Sequence, residues 1–411
     1  MAKIDTAIIA GGGIGGLTAA LALHKAGISV RVFESVANIR PLGVGINLQP
    51  HAVKVLTELG LAERLKQIGI PTADLYYFSK FGQEIWKEPR GMNAGYSYPQ
   101  YSIHRGELQM LLLETAKERL GEEAVKTGHH LSSFEQSRDY VDVHFTDKKT
   151  GERLGVYQAD VLIAADGIHS AARKFFYPEE GDPLFAGRIL WRGVSESPIA
   201  LSGASMFSAG HENQKFVAYP IGQTSDNNQL MVNWIAELAV EGNAPPRADW
   251  NKSIERQVFA PAFASWDFGW ISVPKLIEDA EEVFEFPMVD RNPLPNWVFG
   301  RVALLGDAAH PMYPIGSNGA SQAILDGEEL GKAVVQSQSW EEALKAYQDA
   351  RLDYTSNIIK SNRKNGPDQV MQIVEERAPN GFDSLYDVIS QEELEAIANQ
   401  YKQLTGFDRA K

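Results

Sequence analysis

Five glycines fall within six positions of the segment "TAIIAGGGIGGLTAALALHKAGISVRVFE", from Thr6 to Glu34. On one side lies a short β-branched apolar run. On the other, Leu17, Ala20 and Leu21 recur at helical spacing until Gly27. Gly11, Gly13 and Gly16 form G-x-G-x-x-G at the seam. The first permits a tight strand-to-helix turn, the second lets a pyrophosphate approach the backbone, and the third lets the helix pack on the sheet. Ile14 opens the helix, whose free N–H groups favour an anion. Glu34 closes the next strand 18 residues after Gly16, near the spacing of an acid that bonds a ribose hydroxyl. The pattern predicts a dinucleotide-binding βαβ unit. A signal peptide is the weaker reading, because Asp5 precedes the apolar run and glycines interrupt it.

Composition narrows the remainder. The 411 residues suffice for two or three packed domains. A net charge of −14 argues against nucleic acid and anionic membranes as partners. The chain has no cysteine, which excludes disulfides, iron–sulfur clusters and a redox-active dithiol. No stretch is apolar for long enough to span a bilayer, and a cytoplasmic location is expected.

Along the chain, the text alternates between α/β and β character. The expected organisation is 1–72 and 101–182 as two parts of a nucleotide-binding domain, with 73–100 as a β segment reaching toward a second domain. Residues 183–286 read as an all-β insertion, with 243–251 as a loop. The α/β pattern resumes over 287–355, and 356–411 is a helical tail. The predicted fold class is α/β: a Rossmann-like, three-layer, mostly parallel domain interrupted by a β-sheet substrate domain, with a C-terminal helical segment.

Two further acids follow apolar strands. "ADVLIAADGIHSAAR" places Asp166 before Gly167, and "RVALLGDAAHPMYPIGSNGA" places Asp307 after Gly306. Acids at the carboxyl ends of strands lie where open α/β sheets bind ligands, and Asp307 suits ribityl hydroxyls. Each acid taken alone also suits a strand-end turn. His310 reads as a cap or packing group, and the adjacent His129 and His130 lack metal-ligand spacing; no metal is expected.

In this order, the three motifs resemble class A flavoprotein monooxygenases of the para-hydroxybenzoate hydroxylase type. "RPLGVGINLQPHAV", "YPQYSIHRGELQM", "PMVDRNPLP" and "NGASQAILDG" carry a closer similarity to the branch acting on 5-methylphenazine-1-carboxylate. The resemblance implies FAD as cofactor, NAD(P)H as a transient co-substrate, and O2 delivered to an electron-rich ring through a C4a-hydroperoxyflavin. It implies a cofactor role for Arg105, which starts R-x-x-L with Leu108. It also implies backbone approach to the flavin at Gly316, Ser317, Asn318 and Gly319, and a wall at Pro314. Pro314 and Gly316 tune the flavin, and no acid–base residue is required. The implied substrate is a phenazine-like acid, whose hydroxylation can displace the carboxylate. A salicylate- or hydroxybenzoate-type hydroxylase and a non-oxygenating flavin-binding protein are the alternatives. Neither the nicotinamide preference nor the oligomeric state is legible.

Substrate contacts are expected on the β insertion: Trp191, Phe216, Tyr219, Met231 and Trp234, with Met288 beyond it. Arg192 and Lys215 are candidates to hold a carboxylate. One error of register exchanges the two faces of such a sheet.

Overall fold

The computed structural model describes residues 6–41, 44–198, 200–224, 229–242 and 252–404. The loop expected at 243–251 lies outside them. A six-stranded sheet has the order Val298–Phe299, Val302–Leu304, Val161–Ala164, Thr6–Ala10, Ser29–Phe33, Val125–Lys126. Its pairings are parallel except at the Val298–Phe299 edge. Val161–Ala164 is buried throughout, as in a parallel strand covered on both faces. A three-stranded antiparallel sheet (His130–Gln136, Val141–Thr146, Arg153–Ala159) shares this core, where Phe33 stacks on Phe145 with 4.1 Å between centroids.

Helix Ile14–Lys25 follows the first strand and packs against helix Gly319–Gln336. Small residues make that crossing close: a Cβ on Gly327 would stand 2.8 Å from the Ala19 nitrogen. A Cβ on Gly15 would stand 3.0 Å from the Ala323 Cβ, so the glycine turn is also tied to the first turns of a helix three hundred residues away in sequence.

The second large sheet has eight strands, in the order Lys252–Ser253, Val283–Asp290, Leu184–Pro198, Gln229–Ala239, Gln214–Gln223, Ser205–His211, Asp74–Phe78, Glu84–Pro89. Its last two strands come from before the insertion, and Asp74–Phe78 joins Ser205–His211 in parallel. The insertion itself is not all-β. Helix Val273–Asp279 and two single 3-10 turns, Arg256–Val258 and Ala260–Phe263, lie within it. Val273, Leu276 and Ile277 close the back of the sheet there, together with Phe259 and Phe263. The front is covered in part by the tail: Val370, Met371 and Val374 of helix Gln369–Arg377 pack on Leu75, Tyr77, Tyr219 and Ile221. Among the described residues, no helix is long and apolar enough to cross a membrane.

Candidate functional site

A cavity of about 390 Å³ runs from the glycine turn to the front of the eight-stranded sheet. At the turn, Gly11 has φ +117° and its Cβ would meet the Ala165 carbonyl oxygen at 2.1 Å. Only glycine fits such a position. A Cβ on Gly16 would stand 2.0 Å from the Gly11 oxygen. Gly13 differs, since nothing lies within 4 Å of where its Cβ would stand. It faces the cavity with Ile14 and Gly16, at the end of a helix that no side chain caps. Open backbone beside free helical N–H groups fits a pyrophosphate.

Glu34 lies behind this turn and does not line the cavity. Its Oε2 accepts from the Gly12 N–H at 2.7 Å, and its Oε1 accepts from Val36 N–H at 2.7 Å. Asp166 also stands back: its Oδ2 accepts from Ala171 N–H at 2.7 Å, helping Ser170 cap helix Ala171–Phe176. Burial raises its pKa, against the pull of Ser170 and Ala171. Its Oδ1 has no partner in the protein.

Arg105 and Asp307 project into the cavity. The Asp307 side chain is open to that interior but ringed by protein, and this enclosure raises its pKa against His310 and Arg105. Buried Arg173 fixes the backbone beside it, donating Nη1 to the carbonyls of Ala308 at 3.1 Å and Ala309 at 2.9 Å. Pro314, Gly316, Ser317, Asn318 and Gly319 form the adjoining wall. Gly316 and Ser317 both have positive φ, +70° and +54°. Helix Gly319–Gln336 starts there without a side-chain cap, so its positive end faces the cavity.

The substrate candidates divide by face. Trp191 and Trp234 do not line the cavity and belong to the back of the sheet. Trp191 stacks on Phe259 with centroids 4.8 Å apart and donates to Glu285 at 2.9 Å. Trp234 donates to Ser195 Oγ at 2.9 Å and lies 5.8 Å from Phe216, which is also at the back. Their neighbours in sequence face the cavity instead, Leu190, Arg192, Lys215, Val217 and Ile235, with Glu237 two residues beyond Ile235 on the same face. Tyr219 lines it too. Met231 shares that face but packs beyond the cavity under the C-terminal helices. Met288 is buried beside Leu190, Tyr313 and Ile315, one layer behind the lining.

The sequence reading missed several lining residues. Asn47, Gln49 and Ser208 line the cavity, and among the described residues their buried Nδ2, Oε1 and Oγ atoms have no protein partner. Unpaired polar atoms around a mostly apolar cavity mark a ligand site. Their only sequence signal was position, in a strand for Asn47 and Ser208 and at a helix start for Gln49. His310 is buried away from the cavity, its Nε2 2.5 Å from Asp326 Oδ2.

The family described as FAD binding domain matches residues 3–362. Phenazine 1,6-dicarboxylic acid hydroxylase PhzS of Lysobacter antibioticus is 44% identical over 87% of this chain and 88% of that protein. The 6-hydroxynicotinate 3-monooxygenase of Pseudomonas fluorescens is 28% identical over 89% of this chain and 92% of that enzyme. Among solved structures, Klebsiella pneumoniae HpxO complexed with FAD and uric acid superposes with a TM-score of 0.77 at 26% identity, over 98% of this chain and 97% of that one. The chain belongs to the FAD binding domain family and is an FAD-dependent aromatic monooxygenase.

Proposed function

We propose that this monooxygenase hydroxylates a planar, fused heteroaromatic acid of the phenazine type, using NAD(P)H and O2. The observation carrying the substrate class is the 44% identity to a phenazine hydroxylase over nearly the whole chain. The cavity agrees with it, since its sheet end is floored by Val217 and Ile235 and edged by cationic Arg192. The net reaction consumes one ring C–H, O2, NAD(P)H and a proton, and yields ring C–OH, water and NAD(P)+. Where the attacked carbon bears the carboxylate, CO2 leaves in place of the proton. A cytoplasmic location is part of the same proposal, because NAD(P)H is available there.

FAD, when bound, supplies the activation of O2 and its transfer to the ring. The protein's part is to bind, orient and keep water out. The N–H groups at Gly13–Gly16 receive the pyrophosphate, and Glu34, held on the Gly12 N–H, is poised for ribose once the cofactor competes for it. Asp307, which lines the cavity, would accept hydrogen bonds from the ribityl hydroxyls. The uncapped helix end at Gly319 would favour negative charge on a ring bound beside it, and Pro314 walls the cavity there. Arg105, also in the lining, offsets part of the Asp307 charge. The turn at Pro367 and Asp368 and the helix after it close the far side against solvent.

The test is NAD(P)H oxidation by FAD-loaded protein, with and without phenazine-1-carboxylate, salicylate and hydroxybenzoates. Strong stimulation by the phenazine, with an oxygenated product, is the expected result. Stimulation by a single-ring acid alone would move the assignment to the hydroxybenzoate type, and no stimulation by any of them would favour a flavin-binding protein that does not oxygenate.

A further inference from the structure

Four strands place one row of side chains across the front of the sheet: Ser208, Val217, Ile235 and Arg192. At one strand spacing between neighbours, the row spans about 14 Å. Its middle is apolar and its two ends are polar. The charges at those ends, and on the adjacent row, differ in a way that bears on the ligand.

Arg192 has no carboxylate partner among the described residues. Its Nη2 donates to the Gly45 carbonyl at 2.8 Å, the Tyr219 hydroxyl lies beside it, and the Phe286 ring centroid is 5.8 Å away. Its buried Nε has no protein partner among the described residues. A like charge, Arg105, is the other cation acting on it. A guanidinium enclosed without a counter-ion is costly, and the cost is relieved by an arriving anion.

Lys215, on the adjacent row, is the reverse case. Its Nζ lies 2.8 Å from Asp368 Oδ2 and 3.1 Å from Glu237 Oε2, while Arg188 lies 3.2 Å from Glu237 Oε1. Two cations meet two carboxylates, so this corner carries no net charge. The acids outweigh burial and keep the Lys215 ammonium above its ordinary pKa. A ligand carboxylate arriving here would face Glu237 and Asp368. At the other end of the row the cavity is lined by Ser208, which carries no charge.

We infer that the ring end of the cavity takes one carboxylate, bound by Arg192, and disfavours a second beside Ser208 and Lys215, so the preferred substrate is a monocarboxylate and not a dicarboxylate. This rests on the phenazine-acid reading and departs from the dicarboxylic acid named for the 44% identical relative. The ring lies over Val217 and Ile235, with its uncharged heteroatom or hydroxyl toward Ser208.

The experiment titrates FAD-loaded protein with phenazine, phenazine-1-carboxylate and phenazine-1,6-dicarboxylate, following the flavin absorbance. The monocarboxylate should bind about tenfold or more tightly than either of the others, the scale of one charge-assisted hydrogen bond. Arg192→Gln should erase its advantage over phenazine with FAD content unchanged, and Arg192→Lys should keep most of it. Asp368→Asn, which leaves Lys215 with one acid fewer, should narrow the gap between dicarboxylate and monocarboxylate. A dicarboxylate bound as tightly as the monocarboxylate by the unaltered protein overturns the inference alone. Equal weakening of all three ligands by Arg192→Gln also overturns it, as does loss of FAD, which would make the cofactor the counter-ion. Failure of all three rings to bind overturns the phenazine reading and this inference together.

Discussion

Tyr219 and Arg192 share one acceptor: the phenolic oxygen and Nη2 each lie 2.8 Å from the carbonyl oxygen of Gly45. The N–H of the same residue donates to Asn233 Oδ1 at 2.6 Å. A Cβ on Gly45 would stand 2.7 Å from Asn233, Ile221 and Tyr219. Strand Gly45–Leu48 is thereby clamped to the substrate sheet where the two halves of the cavity meet.

Tyr219→Phe removes one arm of that clamp and leaves the ring in place. We expect a folded, FAD-containing enzyme with a KM raised several-fold, since one hydrogen bond is worth about 1 kcal/mol. Burial pushes the Tyr219 hydroxyl up to about 12, against the influence of Arg192. It therefore stays protonated and donating, and the pH profile of kcat/KM should be the same for both proteins up to pH 10. A break near pH 10 present only in the unaltered enzyme would contradict this.

Gly13→Val and Gly11→Ala should fail differently. The Gly13 position has room for a side chain and a φ of −76°, so the flavin-free variant should match the unaltered protein within ~0.5 kcal/mol while losing FAD. Gly11→Ala meets the Ala165 carbonyl and should lower the Tm of the flavin-free protein itself. Flavin content and Tm, measured on both, separate cofactor approach from turn geometry.

Trp234→Phe is expected to lower stability by ~1–3 kcal/mol, through a lost hydrogen bond to Ser195 and a small cavity. Ligand affinity should not change. A selective rise in KM without loss of Tm would return Trp234 to the ligand site.

Acid should unfold the protein in two stages. Burial, with Arg351 nearby, lowers His51 from 6.5 to about 4. Between those values the unfolded chain takes up the proton and the folded chain does not, so stability falls as pH drops from 6.5 to 4. Asp326 acts below that. Burial would raise its pKa, but His310 and Arg351 overcome this and hold it at about 2 against 3.8. Its contribution is complete above the unfolded value and is lost as pH falls toward 2. His51→Gln should flatten the upper limb of a urea midpoint against pH and leave the lower one. Asp326→Asn should cost about 3–5 kcal/mol at pH 7, because it strands Arg351 in the core.

The FAD-binding fold and its glycine turn were legible because their requirements are local, whereas the orientation of Glu34 and Asp166 away from the cavity was not. A glycine turn between strand and helix, and an acid ending the next strand, are fixed by spacing within one unit. The substrate face was not. Strand Leu184–Pro198 carries Trp191 at the back and Leu190 at the front, and Gln229–Ala239 carries Trp234 and Ile235 likewise. The back is apolar, but the front mixes Leu190 and Ile235 with Arg192 and Glu237, so the larger aromatics point the wrong way when size is taken as the guide. A register shift between Phe185 and Ile189, and another between Pro220 and Gly222, further disturb the alternation. The Lys215–Asp368 pair joins residues 153 positions apart, and no local pattern announces it.

The parallel seam between Asp74–Phe78 and Ser205–His211 has a consequence for how such enzymes can be recombined. The sheet beneath the substrate cannot be transplanted as the single cassette 183–290, because that excision leaves behind strands Asp74–Phe78 and Glu84–Pro89 with their partner gone. Leu75 and Tyr77 of the stranded hairpin also line the cavity. A chimera that exchanges specificity with a relative must cut on both sides of residues 74–89 as well. It must also bring the C-terminal tail from the same parent, since Asp368 neutralises a lysine in the middle of the sheet.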